Sequence, residues 1–286
     1  MTLLGTDLAG LAAGPDIITL GMLADEARRA RHGNRTTFVR VFTVRAEPGG
    51  SMAVPAGAGE VRIAGKPATR AAAIERATAV VAAAGGVPVS AFSLADLEAL
   101  AAAESVTLRS LLEELRTAGV ELVAEAPVDR LNDARRAIEE VNIAGLALAR
   151  LTVERLPSAD LLPLCAMVTD LQRQVAVVRA FAPLPRMVNP AVPTTGYDDV
   201  KRVALTRLAV DNVPSIQVDW SLYGPKLAQV ALTMGADDVD GVSADEGAAA
   251  DGRRRAPLEE ILRNIRAAGQ DPVERNGRFD LLGTTR

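Results

Sequence analysis

Acidic side chains occur at the ends of two candidate strands in the C-terminal half of the sequence. Asp219 and Trp220 end the segment SIQVDW, and Asp240 lies in the segment DDVDGV. The alternation of SIQVDW also places Gln217 on the same face as Asp219. Such carboxylates can serve as general acids or bases, and neighbouring arginines can hold a carboxylate or phosphate ligand. These considerations predict a candidate pocket formed by Arg179, Gln217, Asp219, Trp220, Asp238, Asp240 and Glu246.

The same charges admit a second interpretation, in which they pair with one another inside the fold. A shift of one residue moves a strand side chain to the opposite face, so the sequence leaves both interpretations open. Trp220 likewise could stack on a base or pack in the core. The charged residues on candidate strands are Arg40, Arg62, Arg150 and Arg179, with Glu121, Asp219, Asp238 and Asp240.

Alternating helices and strands position these residues. Eight segments, rich in β-branched residues, predict strands near 37–44, 60–64, 87–91, 120–124, 146–152, 176–181, 215–220 and 238–242. Nearly every segment is followed by a helix, which predicts a (β/α)8 TIM-type barrel, complete or degenerate, with its site at the C-terminal ends of the strands. The alternative is a doubly wound open sheet, but no G-x-G-x-x-G follows the first strand.

Length and charge narrow the class of protein. The 286 residues suit a single barrel domain, in which residues 1–35 supply a lead-in helix and 247–286 a C-terminal helix and tail. A net charge of −4 provides no basic patch for nucleic acid or an acidic membrane surface. Neither a signal peptide nor an apolar run of about 20 residues is present, which predicts a cytoplasmic protein without nucleic-acid or membrane partners.

The C-terminal half resembles a known family. The segments TGYDDVKRVALTRLAVDNVPSIQVDW and YGPKLAQVALTMGADDVDG are similar to the C-terminal part of aminofutalosine synthase and dehypoxanthine futalosine cyclase. Upstream, LADEARRARHGNRTTF and SAFSLADLEALA resemble the same family more weakly. The resemblance implies radical S-adenosylmethionine (SAM) enzymes of the futalosine route to menaquinone, related to a subunit of deazaflavin FO synthase.

The residues that the resemblance requires for cofactor binding are missing. That family holds a [4Fe–4S] cluster on C-x3-C-x2-C after the first strand, where this chain reads FTVRAEPGGSMAVPAGAG. The single cysteine, Cys165, lies in an apolar helix, and His32 ends a basic helix where it is a poor candidate for a base. Glu246 stands where the family has a glutamate, with Ala250 in place of the following histidine. We therefore expect no cluster and no bound cofactor, while SAM binding stays open.

Two hypotheses about function follow. The first is a pseudoenzyme, a binding or accessory protein for a cluster-containing radical SAM paralogue of the menaquinone pathway. The second is an enzyme without radical chemistry, in which Asp219, Asp240 or Glu246 acts on a nucleoside-like or SAM-related small molecule.

Overall fold

Eight parallel strands form a closed barrel. The computed structural model describes residues 7–49, 52–155, 161–187, 194–245 and 258–283. Each strand from β2 to β8 pairs in parallel with its predecessor in the order β2-β3-β4-β5-β6-β7-β8, and β1 pairs with both β8 and β2 to close the ring. The predicted (β/α)8 barrel is confirmed. Its strands are β1 Arg35–Arg45, β2 Glu60–Ala64, β3 Val89–Ser93, β4 Leu122–Pro127, β5 Ala147–Val153, β6 Val178–Pro185, β7 Ser215–Asp219 and β8 Asp238–Ser243.

Helices cover the outside of the barrel, and an apolar core fills the space between the two layers. Most of the helices begin at a side-chain cap, as at Thr69, Thr107, Asp133 and Thr195. The helices are α1 Leu8–Ala13, α2 Ile17–His32, α3 Arg70–Ala84, α4 Leu94–Ala103, α5 Leu108–Thr117, α6 Ala134–Ile143, α7 Leu161–Val175, α8 Gly196–Ala209, α9 Trp220–Thr233 and α10 Leu258–Ala267.

A ninth strand, β9 (Asp271–Glu274), lies beside the N-terminal half of β1. Residues 35–38 of β1 pair with β9, whereas residues 41–45 pair with β2. The C-terminal segment therefore fills the gap that β2 leaves at the N-terminal end of the barrel. The sequence predicted only a tail in this region.

Three helices have local features that affect their surroundings. Pro127 ends β4, and α6 starts at Ala134, where the Asp133 side chain accepts a hydrogen bond from the Arg136 amide. Helix α9 contains a break at Gly224, whose φ of 77° is left-handed, and continues from Pro225. Helix α8 is buried on nearly every side because α2 and α7 pack on it, so its Arg202 and Arg207 side chains are buried.

Within the described part of the chain, none of the helices combines the length and apolarity needed to cross a bilayer.

Candidate functional site

The barrel interior is organised around Asp240 on β8. Its side chain is fully buried and accepts hydrogen bonds from Arg62 Nη1 and Nη2 on β2, at 3.1 and 2.9 Å. Arg150 Nη1 on β5 donates to the same carboxylate at 2.7 Å. Three strands on different sides of the ring are thus joined at one buried carboxylate.

The charged contacts continue on both sides of Asp240. Arg62 Nε donates to Glu60 Oε1 at 2.8 Å. In the other direction, Glu125 Oε2 on β4 lies 3.6 Å from Arg150 Nε and 3.3 Å from Arg186 Nε. We call the connected set the interior network; its members are Glu60, Arg62, Glu125, Arg150, Arg186, Asp219 and Asp240.

Asp219 connects the interior network to helix α9. Its Oδ1 accepts the Leu222 amide at 3.0 Å and the Ser221 hydroxyl at 2.8 Å, so the side chain caps α9. Its Oδ2 lies 3.4 Å from Arg186 Nη1. One oxygen of Asp219 therefore orients a helix, and the other faces an arginine of the interior network.

Exposure increases along the interior network towards the mouth. The side chains of Asp240 and Arg150 are 0% and 5% exposed, while those of Glu125 and Arg186 are 26% and 25% exposed. Because barrel sites lie at the C-terminal ends of strands, Glu125, Arg186 and Asp219 are the members that a ligand would meet first.

Arginines keep two carboxylates of the interior network, those of Asp240 and Glu125, ionised. Burial opposes ionisation of Asp240, but Arg150 and Arg62 outweigh it and hold the pKa of this carboxyl far below its usual range. Burial likewise raises the pKa of Glu125, and Arg186 and Arg150 more than reverse that effect. These carboxylates therefore cannot supply a proton near neutral pH.

Within the interior network, the cost of burial outweighs the attraction of the carboxylates at Arg150. Burial lowers the pKa of Arg150, and repulsion from Arg62 lowers it further against the attraction of Asp240. The pKa of Arg186, in contrast, is raised despite burial, because Glu125 and Asp219 stabilise its charge.

A second polar layer lies one step below Asp240. Asp238 is fully buried and accepts two hydrogen bonds at 2.7 Å from Arg275, which follows β9. Gln217 Nε2 and Thr37 Oγ1 donate to the same carboxylate at 2.6 and 2.5 Å. Asp238 therefore binds both Arg275 and Gln217 below the mouth, because Asp238 and Gln217 lie two residues before Asp240 and Asp219 on their strands.

Two further residues of the predicted pocket, Arg179 and Trp220, lie outside the interior network. The placement of Arg179 in the pocket is wrong: alternation turns it to the outer face of β6, where it is exposed, while its neighbour Ala180 pairs with Arg150. Trp220 is 2% exposed and packs in the core, so it offers no stacking surface. Glu246 lies outside the described residues.

The pocket predicted from the sequence lacked several members of the interior network, and it also lacked Arg275. Glu125 and Arg186 were not considered, and Arg62 and Arg150 were noted as strand charges but not assigned to the pocket. Glu125 had a detectable signal, since an acidic residue interrupts the apolar strand LVAEAP. Arg275 had none, because its partner strand β1 is more than 200 residues away in sequence.

The Cys165 thiol and the His32 imidazole both lie away from the mouth of the barrel. Cys165 is buried in α7, where burial raises the pKa of its thiol to about 11. His32 Nε2 lies 3.6 Å from Asp237 Oδ2 at the end of α2, and Asp237 also pairs with Arg207. Burial lowers the pKa of His32 even though Asp237 favours its charged form.

The loop after β1 does not fit a cluster held by thiolates. Residues 46–59 contain no cysteine. Within the loop's described part, the space beside Gly57 is occupied by the Arg40 guanidinium, and Met52 Sδ lies 3.4 Å from Arg76 Nη1. Among the residues that the structure describes, no group of three or more His, Cys, Asp or Glu side chains is arranged to hold a metal ion.

The C-terminal part of the chain is similar to a known protein family. Residues 182–285 match the CofH/MqnC C-terminal region. This part contains Arg186, Asp219, Asp240 and Arg275, which include members of both polar layers. The resemblance inferred from the sequence is therefore confirmed where it was densest.

Two individual proteins show the same sequence similarity. The aminodeoxyfutalosine synthase of Streptomyces coelicolor is 40% identical over 93 residues, which cover 31% of this chain and 24% of that protein. The cyclic dehypoxanthine futalosine synthase of the same organism is 26% identical over 187 residues, covering 60% of this chain and 47% of the relative. The matched regions span less than half the length of these relatives.

Solved structures share the fold over nearly the whole chain. Methylornithine synthase superposes with a TM-score of 0.67 at 13% identity, covering 93% of both chains. The FeFe-hydrogenase maturase HydG of Carboxydothermus hydrogenoformans gives a TM-score of 0.67 at 12% identity, covering 93% of this chain and 74% of that one. At such low identity these likenesses establish the barrel fold alone.

Proposed function

We propose that this chain is a cluster-free relative of the aminofutalosine synthase group that acts as a binding or accessory protein of the menaquinone pathway. The observation that carries the proposal is the interior network. The seven charged side chains of the interior network lie in the barrel and at its mouth, while the loop after β1 offers no thiolate. These contacts support a barrel interior in which charged residues bind one another and take no part in holding a cluster.

The partner that we propose is a cluster-containing radical SAM paralogue, and the similarity of the C-terminal part to futalosine-related proteins supports this choice. The test is to mix the purified chain with such a paralogue under anaerobic conditions. We expect a complex at micromolar concentration and a changed turnover rate. A heat-unfolded sample of the same chain is the control, and no complex with no change in turnover would contradict the accessory role.

A direct test of the missing cluster is anaerobic reconstitution with iron and sulfide. We expect no stoichiometric iron and no brown chromophore, because Cys165 is the only cysteine and is buried. Iron bound at four atoms per chain together with the absorbance of a cluster would overturn the proposal.

Acid–base catalysis by the strand-end carboxylates is less well supported. Asp240 is fully buried and its carboxylate is held by Arg62 and Arg150, and Asp219 caps α9. A catalytic group must reach the proton that it transfers, and neither carboxylate is free to do so. Calorimetry with SAM, adenosine and futalosine-type compounds tests whether a ligand of this class binds at all.

A further inference from the structure

An apolar groove lies on the outside of the barrel, between helices α2, α8 and α9. It has a volume of about 680 Å³, and Lys226 is the one charged residue among those that line it. The groove shares no residue with the interior network. Its apolar lining includes Ile17, Ile18, Val200, Leu227, Val230 and Met234.

Hydrogen bonds at the edge of the groove hold its walls in place. Tyr197 Oη donates to the Pro15 carbonyl at 2.9 Å. Lys201 Nζ donates to the Gly14 carbonyl at 2.8 Å, so α8 is tied twice to the turn before α2. The groove is therefore formed before a partner binds, and binding need not order its walls.

Large apolar side chains stand exposed beside the groove. Ile18 and Met22 on α2 are 73% and 69% exposed, and Val230 on α9 is 47% exposed. Ile18 and Met22 are one helical turn apart, so they project from the same face of α2. Contiguous apolar surface of this kind is uncommon on a monomeric protein and marks an interaction site.

Opposite charges flank the same surface. Asp25 pairs with Arg28 and Arg29 on its own helix. Glu26 and Lys226, in contrast, are exposed, and neither forms an ion pair or a side-chain hydrogen bond within the described part of the chain. We call the groove together with Ile18, Met22, Glu26 and Lys226 the α2–α9 patch.

The α2–α9 patch is complementary to itself. It has apolar side chains that project, an apolar groove that can receive them, and unpaired charges of both signs. A two-fold interface requires this property, because the same surface serves on both subunits. A different protein would have to supply complementary features of its own, whereas both halves of each contact are already present on this chain.

We propose that the α2–α9 patch binds the same patch of a second copy of the chain, forming a two-fold dimer. Ile18 and Met22 of each subunit enter the groove of the other. Glu26, one turn beyond Met22, then pairs with Lys226 of the partner subunit. The inference goes beyond the accessory role proposed above and does not depend on it.

Sedimentation equilibrium of the purified full chain at micromolar concentrations measures the association. We expect a monomer–dimer equilibrium. Met22→Asp and Val230→Asp should each weaken it at least about tenfold, because buried apolar anchors dominate such interfaces. Ile143→Asp is the matched control, since Ile143 is 55% exposed on α6 and lies outside the α2–α9 patch, so association should be unchanged. Far-UV circular dichroism of each variant checks that the fold is kept.

Charge reversal tests the two-fold symmetry. Glu26→Lys and Lys226→Glu each place like charges together at both contacts of the dimer, so each variant should self-associate about tenfold more weakly than wild type. An equimolar mixture of the two variants should associate again, because a mixed dimer has opposite charges at both contacts. Both effects should fade at about 1 M salt.

Three results would each overturn the inference. They are a chain that stays monomeric, a dimer that Met22→Asp and Val230→Asp leave intact, and a mixture of the charge variants that associates no better than its components. If the chain is monomeric and Met22→Asp weakens binding of the paralogue, the groove belongs to that partner. If Met22→Asp instead lowers the midpoint of urea unfolding, another segment of the same chain covers the groove.

Discussion

Replacing Asp240 by asparagine removes the central charge of the interior network with little change of shape. Arg62 and Arg150 then remain buried, at 11% and 5% exposure, without the carboxylate that holds them. Asp240 accepts three charge-assisted hydrogen bonds, each contributing about 1.5–3 kcal/mol. Asparagine retains one acceptor oxygen, and the loss of one partner of a buried pair typically costs about 3–5 kcal/mol. We expect the free energy of unfolding of Asp240→Asn to fall by that amount.

Urea denaturation of the wild-type chain and of Asp240→Asn measures this difference in the free energy of unfolding. The comparison requires that the slope of the free energy of unfolding against urea concentration is the same for both proteins. Glu140→Gln is the matched control. Glu140 accepts hydrogen bonds from Arg109 at 2.6 and 3.2 Å, but Arg109 is 46% exposed. Such surface pairs contribute about 0–1 kcal/mol, so the control should lose far less stability than Asp240→Asn.

A double-mutant cycle with Arg150→Met tests the physical cause. If Asp240 stabilises the fold through Arg150, then Arg150→Met should destabilise the wild-type chain more than it destabilises Asp240→Asn. The reasoning is refuted if Asp240→Asn loses less than about 1 kcal/mol, or if the two substitutions are additive. Either result would mean that the interior network is hydrated or rearranges freely.

Three further predictions concern other parts of the chain. Burial lowers the pKa of His32 despite Asp237, so the folded state loses stability as the pH falls below about 6.5. His32→Gln should abolish that loss when thermal unfolding at pH 7.5 and 5.5 is compared, and an unchanged difference between the two pH values would contradict this account. Gly241 has a φ of 79°, and an added Cβ would lie 2.7 Å from Asp219 Oδ1. Gly241→Ala should therefore lower the free energy of unfolding, measured in urea, by about 1–3 kcal/mol. Gly269→Ala, also at positive φ but in open space, is the control and should lose less stability. Burial raises the pKa of the Cys165 thiol to about 11, so a thiol reagent at pH 8 should label the folded chain far more slowly than the urea-unfolded chain, and equal rates would show that α7 opens readily.

The barrel and part of its polar interior follow from local sequence patterns. Alternating β-branched segments predicted all eight barrel strands, and the same alternation placed Gln217 with Asp219 and singled out Asp240. Arg179 shows the limit of this reasoning, since whether a strand residue faces inwards depends on a shift of a single position.

The partners of these residues could not be predicted in the same way. Arg186 follows a proline-containing strand end, and it reaches Glu125 only because β6 lies near β4 in the folded ring. The segment DPVE of β9 is short, contains proline and is not β-branched apart from one valine. It becomes a strand because β1 offers unpaired backbone groups there, which is a property of the assembled barrel.

The position of β9 also affects how the chain folds during synthesis. Among the described strands, β1 comes first in chain order, yet its N-terminal half pairs with β8 and β9, which come later than the other strands of the barrel. Arg275, which neutralises the buried Asp238, is translated only after all eight strands of the barrel. Until then the edge of β1 and the charge of Asp238 stay unpaired, so ring closure is expected to be a late and slow step that exposes an aggregation-prone edge.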